Sequence, residues 1–289
     1  MSGNIIEVRD LVKEFGGFRA VDGLSIDVGE GEVFGLLGPN GAGKTTTIRM
    51  MTTLLRPDSG TIVLGGHDIS REPQAAKRLI GMSQQHISLD KDISLRENIR
   101  HKAMLLGLPS ALAKERIDEL VHTMKLEPYM DKLTSDLSGG CKRRGAIVCA
   151  VLHEPRILFL DEPTAGLDTQ TRHILWEMIG MLRDKGTTVV LTTHYIEEAE
   201  ALSDRIAVVD AGRIIIEGTP AGLCEGLGKW TVEYIDDDDC RRYRYFGTRP
   251  EATAFAGSQG APDRSLVRLT RLEDVYLEAT GRQDLREAE

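Results

Sequence analysis

Short runs of apolar and β-branched residues, set off by glycine-bearing turns, open the chain: Ile5 to Val8, Ser25 to Val28, and Val33-Phe34-Gly35-Leu36-Leu37. Such runs predict strands, and the unbroken apolar character of the third predicts one buried on both faces. Between about Ser94 and Leu152 the spacing changes. Ile117, Leu120, Val121, Met124 and Leu126 follow the period of one helix face, so a helical insertion is expected over about 88–155. Ile157-Leu158-Phe159-Leu160 and Thr187-Thr188-Val189-Val190-Leu191 then restore the buried-strand pattern, with a helix-length stretch from Thr171 to Arg183 between them. That alternation predicts an α/β fold around a parallel sheet.

After Thr219-Pro220 the character shifts again. Trp230 to Tyr234 and Tyr243 to Phe246 predict strands on either side of Asp236-Asp237-Asp238-Asp239. Adjacent carboxylates repel one another, so this acidic run is read as a solvated turn and not as a cation site. The expected organisation is one large domain, 1–220, followed by a small α+β accessory extension, 221–289.

Composition narrows the class. A chain of 289 residues, 41% hydrophobic and 28% charged, closes a core without a disulfide or metal staple. No run approaches the roughly 20 apolar residues of a membrane span. Cys141, Cys149, Cys224 and Cys240 show no metal-like spacing and read as reduced structural thiols. A net charge of -9 lacks the basic footprint of a polyanion binder, so no nucleic-acid partner is expected. The opening Met1-Ser2-Gly3-Asn4 carries no secretory-signal blocks, and a cytoplasmic location is expected.

Chemistry enters with Gly38-Pro39-Asn40-Gly41-Ala42-Gly43-Lys44-Thr45, continued by Thr46, between the third apolar run and a helix-like stretch. This is the P-loop pattern in its required context. Its glycines let backbone N–H groups converge on phosphate oxygens, Lys44 reaches the β- and γ-phosphates, and Thr45 can hold Mg²⁺. A second buried run delivers Asp161 and Glu162 to its carboxyl end, beside the P-loop in a parallel sheet. Asp161 is placed to orient a Mg²⁺-bound water and Glu162 to polarise the attacking water. P-loops also serve GTPases, kinases and helicases, so these two motifs alone leave the family open.

Leu137-Ser138-Gly139-Gly140-Cys141 resembles the signature of ATP-binding-cassette (ABC) ATPases. The resemblance runs in the family's order from Phe15 to about Pro220, with Gln85 at the Q-loop position, Ala165-Gly166-Leu167-Asp168 at the D-loop and His194 at the switch position. It implies a P-loop ABC ATPase fold: a parallel-sheet core, an N-terminal antiparallel β subdomain and a helical signature subdomain. It further implies that ATP and Mg²⁺ bind, that Gln85 touches the metal or its water, and that His194 contacts the γ-phosphate. Phe15 would stack on adenine, although read by itself it serves core packing equally well. Ser138, Gly139 and Gly140 would grip the ATP of an opposite subunit, so a homodimer, or a pair with a related ATPase, is implied. Cys141 departs from the family's commoner Gln, at a position that varies.

Thr193-His194-Tyr195-Ile196-Glu197-Glu198-Ala199-Glu200 and Leu272-Glu273-Asp274-Val275-Tyr276-Leu277 look like the daunorubicin and multidrug resistance branch, whose ATPases pair with ABC-2-type permeases. The resemblance implies an ATPase subunit of an exporter, peripheral on the cytoplasmic face of the membrane through a separate permease. The competing readings are a soluble non-transport ATPase and a nucleotide-sensing regulatory module.

Overall fold

The computed structural model describes residues 3–236, 239–258 and 265–281. The chain begins β1 (Asn4–Phe15), β2 (Phe18–Gly29), β3 (Val33–Leu37), α1 (Lys44–Met51), β4 (Ser59–Leu64), β5 (His67–Asp68), α2 (Pro73–Leu79) and β6 (Ile80–Ser83). Three helices follow, α3 (Leu95–Leu105), α4 (Ser110–Thr123) and α5 (Gly139–Val151). The chain then returns through β7 (Ile157–Asp161), α6 (Thr169–Asp184), β8 (Thr188–Thr193), α7 (Ile196–Leu202), β9 (Arg205–Asp210) and β10 (Arg213–Gly218). It closes with α8 (Pro220–Leu227), β11 (Trp230–Ile235), β12 (Arg241–Phe246), α9 (Arg249–Ser258), β13 (Ser265–Leu269) and α10 (Leu272–Thr280).

The central sheet has the order β10-β9-β3-β8-β7-β6. Its strands pair in parallel except for β10, which is antiparallel to β9. Every residue of β3, β7 and β8 is buried, as a sheet covered on both faces requires. The two faces divide by alternation. Leu158, Leu160, Val189 and Leu191 pack with the helical segment and α6. Phe34, Leu36, Ile157, Phe159 and Val190 pack with α1 and the N-terminal sheet. That second sheet, order β2-β1-β4-β5, is antiparallel throughout.

The short runs read at Ile5 and Ser25 belong to strands of twelve residues each. Register shifts between Val8 and Leu11 and between Lys13 and Glu14 break the alternation that a sequence reading follows. Beyond β10, β11 pairs antiparallel with β12 and β13 in a three-stranded sheet. α8 and α10 lie back on the core, where Leu223, Leu272 and Val275 join Leu37, Ala199, Ile206 and Val208. Of the acidic run, Asp236 accepts from Cys240 N at 2.9 Å and from Arg242 Nε at 2.9 Å. Asp237 and Asp238 lie outside the described residues, as do Met1 and Ser2.

Candidate functional site

The carboxyl ends of β3, β7 and β8 lie side by side, and the loops leaving them build the site. After β3 the chain turns through Gly38 and reaches α1 at Gly43, whose φ of 103° suits glycine. A Cβ on Gly38 would stand 2.1 Å from Val209 O and one on Gly43 2.3 Å from Ala20 O, so the loop's close path admits no side chain at either place. No side chain caps α1. Its first-turn N–H groups are therefore left for an anion.

Lys44 is buried and donates to Gly38 O at 2.7 Å and Pro39 O at 3.0 Å. Its Nζ stands 3.9 Å from Glu162 Oε1. Burial holds the ammonium below the usual lysine range, while Glu162 and Asp161 pull it back up. It is thus a desolvated cation held on the loop's own carbonyls, with Glu162 as its counter-ion. Asn40 and Gly41 are exposed at the loop's tip, Ala42 is buried, and Thr46 is half-buried.

Thr45 Oγ1 donates to Asp161 Oδ1 at 3.0 Å, and Thr192 Oγ1 donates to the same oxygen at 2.7 Å. Thr192 also accepts from the backbone N–H of Glu162 at 3.0 Å. Glu162 turns the chain out of β7 in a left-handed conformation, φ 47°. Gln85 Nε2 donates to its Oε2 at 3.1 Å, and His194 Nδ1 lies 3.3 Å from its Oε1. Lys44, Thr45, Gln85, Asp161, Glu162 and His194 therefore meet in one place.

Ser138 caps α5 by accepting from Cys141 N at 3.2 Å. A Cβ on Gly139 would meet open space, whereas one on Gly140 would come within 3.1 Å of Thr171 Cγ2. Asp168 caps α6, accepting from Thr171 N at 2.9 Å and Thr171 Oγ1 at 2.8 Å, and these bonds hold its carboxyl below the usual range. Phe15, at the β1–β2 turn, is 49% exposed with Lys13 Nζ 5.4 Å from its ring centre, so it is not a core residue. Among the described residues, Phe15, Ser138, Gly139, Gly140 and Asp168 share no hydrogen bond with the Glu162 cluster.

Two residues absent from the sequence reading shape this cluster. Thr192 holds Asp161 and Glu162 together, and as one of three threonines on β8 it carried no distinguishing signal. Arg143, buried on α5, donates from Nη1 to Gln84 O at 2.6 Å and from Nη2 to Gln85 O at 2.7 Å. It is the middle residue of the run Lys142-Arg143-Arg144, so the sequence did not mark it as buried.

The ABC transporter family profile matches residues 21–165. A daunorubicin/doxorubicin resistance ATP-binding protein, DrrA of Streptomyces peucetius, is 48% identical over 223 residues, 77% of this chain and 68% of the relative. The Nod factor export ATP-binding protein I of Cupriavidus metallidurans is 39% identical over 96% of this chain and 98% of its own length. A solved ATP-binding subunit of an ABC transporter aligns with a TM-score of 0.74 at 27% identity, covering 96% of this chain and 99% of that one.

The chain belongs to the ABC transporter family, as an ATP-binding subunit and ATPase. Within that family its similarity lies with the drug-resistance and export ATP-binding proteins. No helix among the described residues is long and apolar enough to cross a membrane.

Proposed function

We propose that this chain hydrolyses MgATP in composite sites shared with a second ATPase chain, and that the cycle of closure and reopening drives a separate ABC-2-type permease in export. The observation that carries the reading is the convergence on Glu162. Its carboxylate oxygens face Gln85 at 3.1 Å and His194 at 3.3 Å, with Lys44 3.9 Å away. Groups from three separate stretches of chain converging on one carboxylate suit a reaction in which positioning and charge neutralisation carry most of the catalysis.

In this reading Lys44 exchanges the Gly38 and Pro39 carbonyls for β- and γ-phosphate oxygens. The backbone from Gly38 to Thr46 wraps the phosphates, and Phe15 stacks on the adenine. Glu162 polarises the attacking water, Gln85 helps to place it, and His194 holds the γ-phosphate end. Thr45 and Asp161, already sharing a hydrogen bond, are hard oxygen donors that fit Mg²⁺ together with nucleotide oxygens. Among the described residues no cluster of three or more His, Cys, Asp or Glu could hold a metal unaided. When bound, Mg²⁺ would neutralise charge on the phosphoryl group being transferred.

One P-loop and one signature are present. Ser138, Gly139 and Gly140, at the start of a 13-residue helix, are read as an anion grip for the nucleotide of the opposite chain, with Asp168 shaping the joint. That chain is a second copy or a related ATPase subunit. Export, a permease partner and a place on the cytoplasmic face of the membrane draw support from the resistance and export relatives.

ATP turnover of purified wild type and Glu162→Gln, measured with Mg²⁺ and alongside sizing in ATP, tests the core of this reading. The variant is expected to bind ATP, lose about 10²–10⁴-fold in kcat as a missing general base does, and accumulate as an ATP-trapped dimer. Unchanged turnover in Glu162→Gln would remove that residue from its role, and nucleotide binding without turnover in the wild type, permease included, would favour a sensor.

A further inference from the structure

Arg143 is a deeply buried cation, 5% exposed, that the proposed chemistry leaves without a task. Its planar guanidinium spends two donors on consecutive backbone carbonyls, those of Gln84 and Gln85, at 2.6 and 2.7 Å. Burying a charge costs free energy unless it is well bonded. Burial pulls this guanidinium below the usual arginine range, and Asp161 and Glu162 pull it back up. A residue that only filled space here would be apolar. The forked geometry is instead suited to fixing two carbonyls at once, which a lysine ammonium does not reproduce.

The adjacent Arg144 points elsewhere. It donates to Met124 O and Lys125 O at the end of α4, and its Nη2 lies 3.4 Å from Cys141 Sγ. The pair therefore anchors the start of α5 on two sides, Arg144 to the helical layer and Arg143 to the segment leaving β6. From that segment the Gln85 side chain reaches Glu162. A continuous path runs from the Ser138-capped end of α5 through Arg143 and the Gln85 backbone to the Glu162 carboxylate.

We infer that Arg143 is a positioning residue that ties the phosphate-gripping end of α5 to Gln85, so that docking of that helix on an opposite chain's nucleotide sets Glu162 in this chain's own site. The inference rests on the function proposed above. It makes each site's hydrolysis depend on engagement at the other, through a link internal to one chain.

The test uses the full chain carrying Arg143→Gln, and Arg143→Lys as the milder change, read on two independent scales. Amide hydrogen exchange without nucleotide is expected to rise about tenfold or more at 84–88 in Arg143→Gln, with β3 unchanged. In steady-state turnover kcat is expected to fall about tenfold with KM for MgATP within about twofold. Adding Gln85→Ala to Arg143→Gln is expected to bring little further loss, because both changes break one path. A merely structural role would multiply the two losses, and that outcome, or unchanged exchange at 84–88, overturns the inference. Arg143→Lys, expected to fall between, decides on the same scales if Arg143→Gln does not fold. The exchange arm needs no turnover, so failure of the link and failure of the ATPase reading are told apart.

Discussion

Glu162 holds a left-handed backbone conformation, φ 47°, which a residue with a Cβ adopts at a cost of about 1–3 kcal/mol. The bond from its N–H to Thr192 Oγ1 helps to hold it there. A second buried carboxylate shows a different balance. Glu198, on α7, is 1% exposed and accepts from Thr164 Oγ1 at 2.8 Å. Burial raises its carboxyl above the usual glutamate range, and the Thr164 hydrogen bond opposes that rise. The unfolded chain ionises this group first, so the folded state is favoured below the unfolded value and loses that advantage as pH rises through the folded value. Glu198→Gln keeps an acceptor and removes the charge. It is expected to raise Tm by about 2 °C at pH 8, roughly the shift that 1 kcal/mol makes in a chain of this size, with the gain shrinking toward pH 4.5 in thermal melts. At this scale the P-loop and Asp161-Glu162 were legible because each is contiguous and local. Gln85 and His194 carried no such mark, and only resemblance singled them out, since their partner Glu162 lies 77 and 32 residues away.

Among the elements, α3 shows how far local rules reach. Ser94 accepts from Glu97 N at 3.2 Å while Glu97 Oε2 accepts from Ser94 N at 2.8 Å, a reciprocal cap written in four consecutive residues. Ser94→Ala is expected to cost about 1 kcal/mol of stability, read from urea or thermal unfolding, without altering nucleotide binding. α4 was legible for a related reason: Ile117, Leu120 and Val121 are its buried stripe. α5 was not legible by period, because ten of its residues are buried and no polar face remains to alternate with the apolar one. β1 and β2 were half-legible, their register shifts cutting long strands into short readable runs.

For the molecule as a whole, α8 and α10 bring the C-terminal segment back onto the ATPase core. Leu272 and Val275 sit in the cluster that holds Leu37, the residue before the P-loop, and Ala199 of α7. Arg268 clamps the buried Asp274 with bonds of 2.6 and 2.7 Å, fixing the start of α10. Leu272→Ala is expected to lower stability by about 2–5 kcal/mol, seen as a fall in Tm, a cost characteristic of a cavity in a shared core. The linear chain by itself determined the strand and helix alternation, the phosphate loop, the two carboxylates after β7 and the signature, because each depends on residues close in sequence. Tertiary structure alone decided that Gln85, His194 and Lys44 close on Glu162, that Thr192 serves Asp161 and Glu162 together, and that Arg143 reaches the Gln84 and Gln85 carbonyls. These contacts join residues dozens of positions apart, and sheet order and helix packing set them where local spacing carries no record.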